Sequence, residues 1–360
     1  MSRWHAFRAS ALIAVLLGGA FGLLRAPEQY PLPRPRAVAA FLVVGDLMLS
    51  RGVATAMARA RDPLVPFSRM RSTFRSVAFA FGNLESPFAV DPGAKPSANR
   101  MVFGAPSEAL SGLMDAGFRV LNLANNHTLD QRAAGLLRTT RLLDENSVQH
   151  VGAGANLQDA WEPAIVAVNG IRIGFVGASY SSLNDLGAAK NVPYVARIED
   201  RERLQSTLTR LRGRVDFIVV TMHAGIEYTH KPDEAQIGFA HAAIDDGADL
   251  VAGAHSHWVQ SFETYRGKPV FYGLGNFVFD QTWSVETMRG LALRVVLSRP
   301  AEGGRAHLEQ IELIPVIIEH ASTPRPALPR EAREILHAAG MDNVLSTGDG
   351  PAVILPPGLH

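Results

Sequence analysis

Residues 217–257 read FIVVTMHAGIEYTHKPDEAQIGFAHAAIDDGADLVAGAHSH, and this stretch decides the fold class. It opens on an apolar run, Phe217–Met222, with the length and β-branched content of a buried strand, and the run delivers His223 at its end. Glu234–Asp246 has the composition of a helix. Leu250–Ala252 is a second short apolar run, and it delivers His255 and His257. Strand, helix and strand in succession make an α/β unit, the connection that joins parallel strands.

The same grammar extends outward. Toward the N-terminus, Ile171–Gly177 reads as a strand and Glu199–Arg212 as a charged amphipathic surface helix. Ala37–Gly45 (AVAAFLVVG) is a continuous apolar run ending in Gly45-Asp46, and Val77–Phe81 is another, ending in Gly82-Asn83-Leu84-Glu85. Pro106–Gly117 reads as a helix with Pro at its start and Gly at its stop. Arg119–Leu123 is a strand running into Ala124-Asn125-Asn126-His127, with Asp130 read as the cap of a helix that continues to about Asn146. Toward the C-terminus, 260–265, 269–273, 291–298 and 308–317 are strand patterns without intervening helices. Packed sheets with helices outside follow from this mixture. Residues 322–360 hold a Pro-rich stretch, a short helix near 330–339 and an apolar tail, with no functional signal.

Composition narrows the function classes. The 360 residues carry 35 Lys+Arg against 34 Asp+Glu, a net charge of +1, which argues against a dedicated nucleic-acid binder. There is no Cys, so thiolate metal sites, disulfides and thiol catalysis are excluded. The chain is 47% hydrophobic and 19% charged, the balance of a globular protein. Of its 12 His, five fall between His223 and His257.

The N-terminus reads as a membrane or export signal. Arg3 and Arg8 precede the uncharged run Ala11–Leu24, which at 14 residues is short for a spanning helix and fits a signal peptide or a tight signal anchor. Segment 1–24 is therefore expected to be the anchor or signal, 25–37 a Pro/Arg-rich tether, 38–320 the main domain and 321–360 a C-terminal extension. The expected location is the cell membrane, with the domain extracytoplasmic, or the periplasm if the segment is cleaved.

The chemistry-bearing residues sit where α/β proteins build sites, at the carboxyl ends of strands. In order they are Asp46, Glu85, Asn126-His127, His223 and His255-Ser256-His257. Oxygen and imidazole donors without thiolates suit Mn, Zn, Fe or Mg, as one or two ions. Residues i and i+2 of an extended segment share a face, which would let His255 and His257 serve one cluster. Singly, each has an ordinary alternative: Asp46 as a helix N-cap, Asn125 and Asn126 as turn formers, His223 as a hydrogen-bonded core histidine, Met48 as core filler.

The ordered set resembles the calcineurin-like metallophosphatase superfamily and, within it, the CapA branch linked to poly-γ-glutamate capsule synthesis. The matching segments are Gly45-Asp46-Leu47-Met48-Leu49 with Arg51, Asn83-Leu84-Glu85, Ala124-Asn125-Asn126-His127, His223-Ala224-Gly225-Ile226-Glu227-Tyr228, Gly253 with His255-Ser256-His257, and Leu274-Gly275-Asn276-Phe277, within residues 38–282. The resemblance implies a four-layer α/β/β/α sandwich. It also implies Asp46 and His257 as ligands of a first metal, Glu85 as the bridge, and Asn126, His223 and His255 as ligands of a second. By the same resemblance His127 is the proton donor, Arg51 a substrate contact and Glu227 a metal support. Met48 stands where the superfamily has a His, and Ala254 where branch members often have another.

The function expected on these grounds is a metal-dependent hydrolase of phosphoesters or γ-glutamyl amides in polyglutamate capsule biosynthesis. The alternative is a non-catalytic, membrane-anchored subunit of a synthesis or export complex that uses the metal site for structure or polymer binding. The expected partners are an anionic polymer or small-molecule substrate, the membrane and synthase or export subunits, with no nucleic acid.

Overall fold

The computed structural model of the chain describes residues 36–91, 101–180, 193–342, 345–346 and 352–354. Strand Ala37–Leu47 lies at its heart. Its side chains alternate between two cores: Ala39, Phe41 and Val43 face a second sheet, while Leu42, Val44 and Leu47 face helices. A strand buried on both sides needs apolar residues at every position, which is why the run is unbroken. The strand Phe217–His223 follows the same rule, with Phe217 and Val219 in the inter-sheet core and Ile218, Val220 and Met222 against helices.

Among the described residues the first sheet has ten strands. Its central run is His307–Glu319, Arg289–Arg299, Ala37–Leu47, Phe79–Leu84, Phe118–Asn122 and Gln149–Val151. The second has six, in the order Phe262–Tyr265, Lys268–Phe271, Leu250–Ala254, Phe217–His223, Ile171–Ser179 and Ala164–Val168. The two pack face to face through a core that includes Phe41, Phe79, Phe81 and Phe175, with Phe175 edge-on to Phe41. Helices Arg51–Ala60, Ala109–Asp115 and Arg132–Glu145 cover the first sheet, and Arg201–Arg212 with Glu234–Asp245 covers the second. The layers therefore run helix, sheet, sheet, helix.

The parallel strands share one polarity, so their carboxyl ends meet along one edge. Register places Asp46 beside Asn83, and Asn83 beside Asn122. In the other sheet His223 pairs with Ala254, immediately before His255. A short parallel strand, Asn276–Val278, was not anticipated, and it adds to the far side of Asp46. It can do so because Gly45 lies against the chain there: a Cβ on Gly45 would sit 1.9 Å from the Gly275 carbonyl oxygen. Backbone cannot swing away as a flexible side chain can, so Gly45→Ala is expected to destabilise the chain by about 3 kcal/mol or more. Chemical denaturation of the purified variant checks this, and an unchanged midpoint would refute it.

Some expectations change. The helix foreseen over Pro106–Gly117 is shorter, Ala109–Asp115, because Pro106 and the residues after it form the approach to the helix rather than its first turn. The C-terminal segment contributes to the core: Thr323–Pro326 pairs with His307–Glu319, and Ile335 of helix Pro329–Ala338 is buried between the sheets. The expected cell-membrane location through a single N-terminal anchor is corrected, because no helix among the described residues is long and apolar enough to cross a membrane. Segment 1–24, on which that reading fell, lies outside the described residues.

Candidate metal centre

The strand ends bring Asp46, Glu85, Asn126, His127, His223, His255 and His257 together. Asp46 ends the central strand, and a register shift between Val44 and Asp46 re-aims the chain there. Donor atoms of Asp46, Glu85 and His257 all lie within 4.8 Å of one another, and all three residues are buried. A second set adjoins it: His223 Nε2 is 2.9 Å from Asn126 Oδ1 and 3.1 Å from His255 Nδ1. Glu85 stands between the two sets, with its Oε1 3.9 Å from His257 Nε2, 4.0 Å from His223 Nε2 and 3.9 Å from His127 Nε2.

These separations decide what the centre can hold. Among the described residues no hydrogen bond of ordinary geometry reaches either carboxylate oxygen of Glu85, although Glu85 is fully buried and the Asp46 carboxylate lies close enough to share a proton with it. A buried carboxylate left in that state is costly, and distances near 4 Å are too long for hydrogen bonds. They suit a shared cation: with bonds of about 2.0–2.2 Å, two ligands of one ion lie about 3.3–3.6 Å apart at the tetrahedral angle and up to about 4.4 Å apart when opposed. The donor set fits a divalent cation.

Polar contacts orient the donors. Asn83 Nδ2 donates to Asp46 Oδ1 at 2.8 Å and lies 3.0 Å from His223 Nδ1. Asn83 is itself held by Asn122 Nδ2 at 2.9 Å, and Asn125 Nδ2 donates to the Leu84 carbonyl at 2.9 Å. His257 Nδ1 faces Asn276 Oδ1 at 2.9 Å, and Asn276 Nδ2 donates to the Thr287 carbonyl at 2.9 Å. Such contacts set ring orientation and tautomer. Asn83 and Asn276 lie in the matching segments without an assigned role, and Asn122 was not singled out; its only signal was position, at a strand end.

Burial sets the electrostatics. Burial first, then the neighbouring His255 and His257, holds His223 well below the usual histidine range, and burial with His257 lowers His255 to about 3. Both imidazoles are therefore neutral at pH 7, the form that binds metal. Glu85 is pushed well above the usual carboxylate range by burial, then by the charges of Asp46 and Glu227, with Arg51 opposing. Because its folded pKa is raised, its stabilising contribution is present at acid pH and is lost as pH rises through that value. A cation at neutral pH removes this cost. Glu85→Gln is accordingly expected to raise the melting temperature of the metal-free chain at pH 7. It should also abolish the rise that Mn²⁺ gives the wild type, about 2.7 kcal/mol at 100-fold excess over Kd. Thermal denaturation with and without Mn²⁺ reads both, and an undiminished Mn²⁺ effect in the variant would refute the assignment.

His127 is held in place by two neighbours. Its Nδ1 is 2.7 Å from Asp130 Oδ2, its ring stacks on Phe103 at 3.9 Å, and its Nε2 points toward Glu85. Asp130 also accepts from the Phe103 amide at 2.6 Å. It does not cap the next helix as expected: that helix spans Arg132–Glu145 behind Gln131, and the carboxylate is spent on His127 and Phe103. Arg51 pairs with Asp280 and lies over the Phe103 ring at 4.7 Å, so it borders the His127 side of the centre. Glu227 lies on the other side, within electrostatic reach of Glu85 and hydrogen-bonded to Tyr228.

The His-x-His geometry differs from expectation. The strand stops at Ala254, and His255 and His257 have φ of +93° and +56°. The two residues lie on a left-handed turn rather than on an extended segment. Met48 is buried in the helix-side core and takes no part in the site. His241 pairs with Glu263 and stacks on Tyr265, away from the centre.

Comparison with known proteins places this arrangement in context. The family model described as "Bacterial capsule synthesis protein PGA_cap" matches residues 40–281. The "Capsule biosynthesis protein CapA" of Bacillus anthracis is 32% identical over 279 residues, covering 76% of this chain and 68% of that protein. The "PGA biosynthesis protein CapA" of Bacillus subtilis (strain 168) is 32% identical over 284 residues, covering 79% and 72%. Among solved structures, the NAD nucleotidase of Haemophilus influenzae aligns with a TM-score of 0.45 at 12% identity, covering 84% of this chain and 62% of that one.

Proposed function

Because the chain belongs to the PGA_cap family of bacterial capsule synthesis proteins, we propose that it is a metal-dependent hydrolase of polyglutamate capsule biosynthesis, acting on the γ-glutamyl amide bond. The observation that carries this reading is Glu85, whose buried carboxylate is ringed by three imidazoles and a second carboxylate, Asp46. Asp46, Glu85 and His257 would hold one divalent ion and Asn126, His223 and His255 a second, with Glu85 between them. Mn, Zn, Fe or Mg suits these oxygen and nitrogen donors. A cation of this kind supplies Lewis-acid polarisation of the scissile carbonyl and a nucleophile at neutral pH.

The chain's own residues do the rest. His127 Nδ1–H donates to Asp130, and when the ring carries a second proton, on Nε2, that proton can pass to the departing amine, leaving the neutral Nδ1–H imidazole paired with Asp130. Phe103 covers the imidazole and keeps water off that face. Arg51, oriented by its ion pair with Asp280, would offer guanidinium N–H groups beside the centre to a substrate carboxylate. The test is incubation of the purified chain with Mn²⁺, Zn²⁺ or Mg²⁺ and γ-glutamyl oligomers, phosphomonoesters and phosphodiesters. Metal-dependent release of γ-glutamyl fragments is expected; inertness to all substrates with every metal would overturn the reading, and turnover of phosphoesters alone would reassign the bond.

One observation favours a second reading, a non-catalytic component of a synthesis or export assembly that binds polymer. Met48 stands where the resembled superfamily has a His and is buried away from the centre, so the Asp46, Glu85 and His257 set lacks the fourth protein donor that position would give. That reading expects polymer binding and co-purification with synthase subunits, without turnover.

A further inference from the structure

Tyr228 lies beside the centre in a strained backbone conformation, φ +63°, which costs a bulky residue on the order of 1–3 kcal/mol. The surrounding loops over-determine it. The Tyr228 amide donates to the Ser256 carbonyl at 2.8 Å, and the Ser261 amide to the His230 carbonyl at 3.0 Å. His230 Nδ1 donates to the Val259 carbonyl at 2.7 Å. Gln260 donates to the Lys231 carbonyl at 3.1 Å and accepts from the buried Gln236 at 2.8 Å. Loop 225–231 is thus riveted to the His255–His257 turn. The product of this strain is an aromatic ring laid along His257, 5.7 Å between centroids at 26°.

Trp283 continues the surface. Its ring meets Tyr228 edge-on, 4.6 Å between centroids at 83°, and yet it is 60% exposed. Ile226 and Val285, on the same two loops, are 62% and 57% exposed. Folding alone rewards burying such side chains, and apolar surface held out beside a polar centre marks a recognition surface.

We propose that Tyr228 and Trp283 form the substrate-binding wall of the metal centre, taking the planar amides and methylene segments of a polyglutamate chain and so deciding its specificity. This inference rests on the reading of the centre as one that acts on polyglutamate, and it assigns the residues that read the polymer. Tyr228, Trp283, Ile226 and Val285 carry no formal charge. Aromatic faces and edges accept amide planes and methylenes, while a compact phosphoester offers them nothing to grip. The polymer backbone therefore lies along the wall, with one amide carried on past His257 to the centre.

The experiment uses the full chain loaded with Mn²⁺ and titrated with poly-γ-glutamate, read by calorimetry and tryptophan fluorescence. The variants are Trp283→Ala, Trp283→Phe and Tyr228→Gly; glycine accepts the positive φ that the tyrosine holds under strain, and circular dichroism with a melting curve verifies each fold. Each non-aromatic variant is expected to weaken polymer binding roughly five- to tenfold with unchanged metal content, and Trp283→Phe to recover part of the loss. If the wild type binds and cleaves polymer and the variants bind equally well, the wall is overturned and the functional reading stands. If the wild type binds no polymer, both fall. If adenosine monophosphate binds in preference to polymer and is lost in Trp283→Ala, the wall reads a nucleobase and the polyamide assignment is overturned.

Discussion

Asp46→Asn should strip the centre of metal. The carboxylate is fully buried, accepts from Asn83 Nδ2 at 2.8 Å and from the His255 amide at 3.3 Å, and lies 3.5 Å from His257 Nδ1. It is the one anion, apart from Glu85, among the donors gathered within 4.8 Å. The amide keeps the volume and part of the hydrogen bonding, so the fold is expected to survive, and the change isolates charge and ligation. Second-contact residues alone cost about 10–100-fold in metal affinity, so a direct anionic ligand is expected to cost at least about 100-fold. Metal analysis after dialysis should find the wild type loaded and the variant empty, with hydrolysis lost in parallel. Equal metal retention by both would remove Asp46 from the centre and take the proposed chemistry with it.

That effect is legible in the sequence because Asp46 ends an apolar run buried on both sides. A polar residue at such a boundary has left the core at the sheet edge, where sites form. The same argument marks Glu85 and His223. The unbroken apolar run Ala37–Gly45 was equally readable as a buried strand, whereas which side chains face which core came only from the fold. What stayed hidden depended on contacts between segments distant in sequence. The strand Asn276–Val278 exists because Gly45 and Gly275 allow two backbones to approach, and no local periodicity in three residues announces that. The asparagine relay from Asn122 through Asn83 to Asp46 needs the lateral register of three strands. His255 and His257 were paired on the face-sharing of an extended segment, but their backbone is left-handed, a turn that period-two reasoning cannot describe. Asp130 was misread for a related reason: an acid before a helix is usually a cap, and only the folded loop shows His127 within 2.7 Å.

His127→Ala separates proton transfer from metal binding. The ring is 3.9 Å from Glu85 through Nε2, and its other nitrogen is committed to Asp130. It is not among the donors of the compact Asp46, Glu85 and His257 group, so metal content should match the wild type. Loss of a positioned general acid costs typically 10²–10⁴ in rate, and that range is expected in kcat with KM little changed. Asp130→Asn should be milder, on the order of 10–100-fold, because the imidazole remains but its tautomer and orientation are no longer enforced. A substrate with a leaving group that needs no proton should narrow both deficits, whereas a purely structural role for His127 would leave them unchanged. The comparison is therefore hydrolysis of a γ-glutamyl alkylamide against a γ-glutamyl nitroanilide by wild type, His127→Ala and Asp130→Asn at equal metal loading. Equal deficits on both substrates would exclude proton donation and leave Phe103 packing as the reason for the ring.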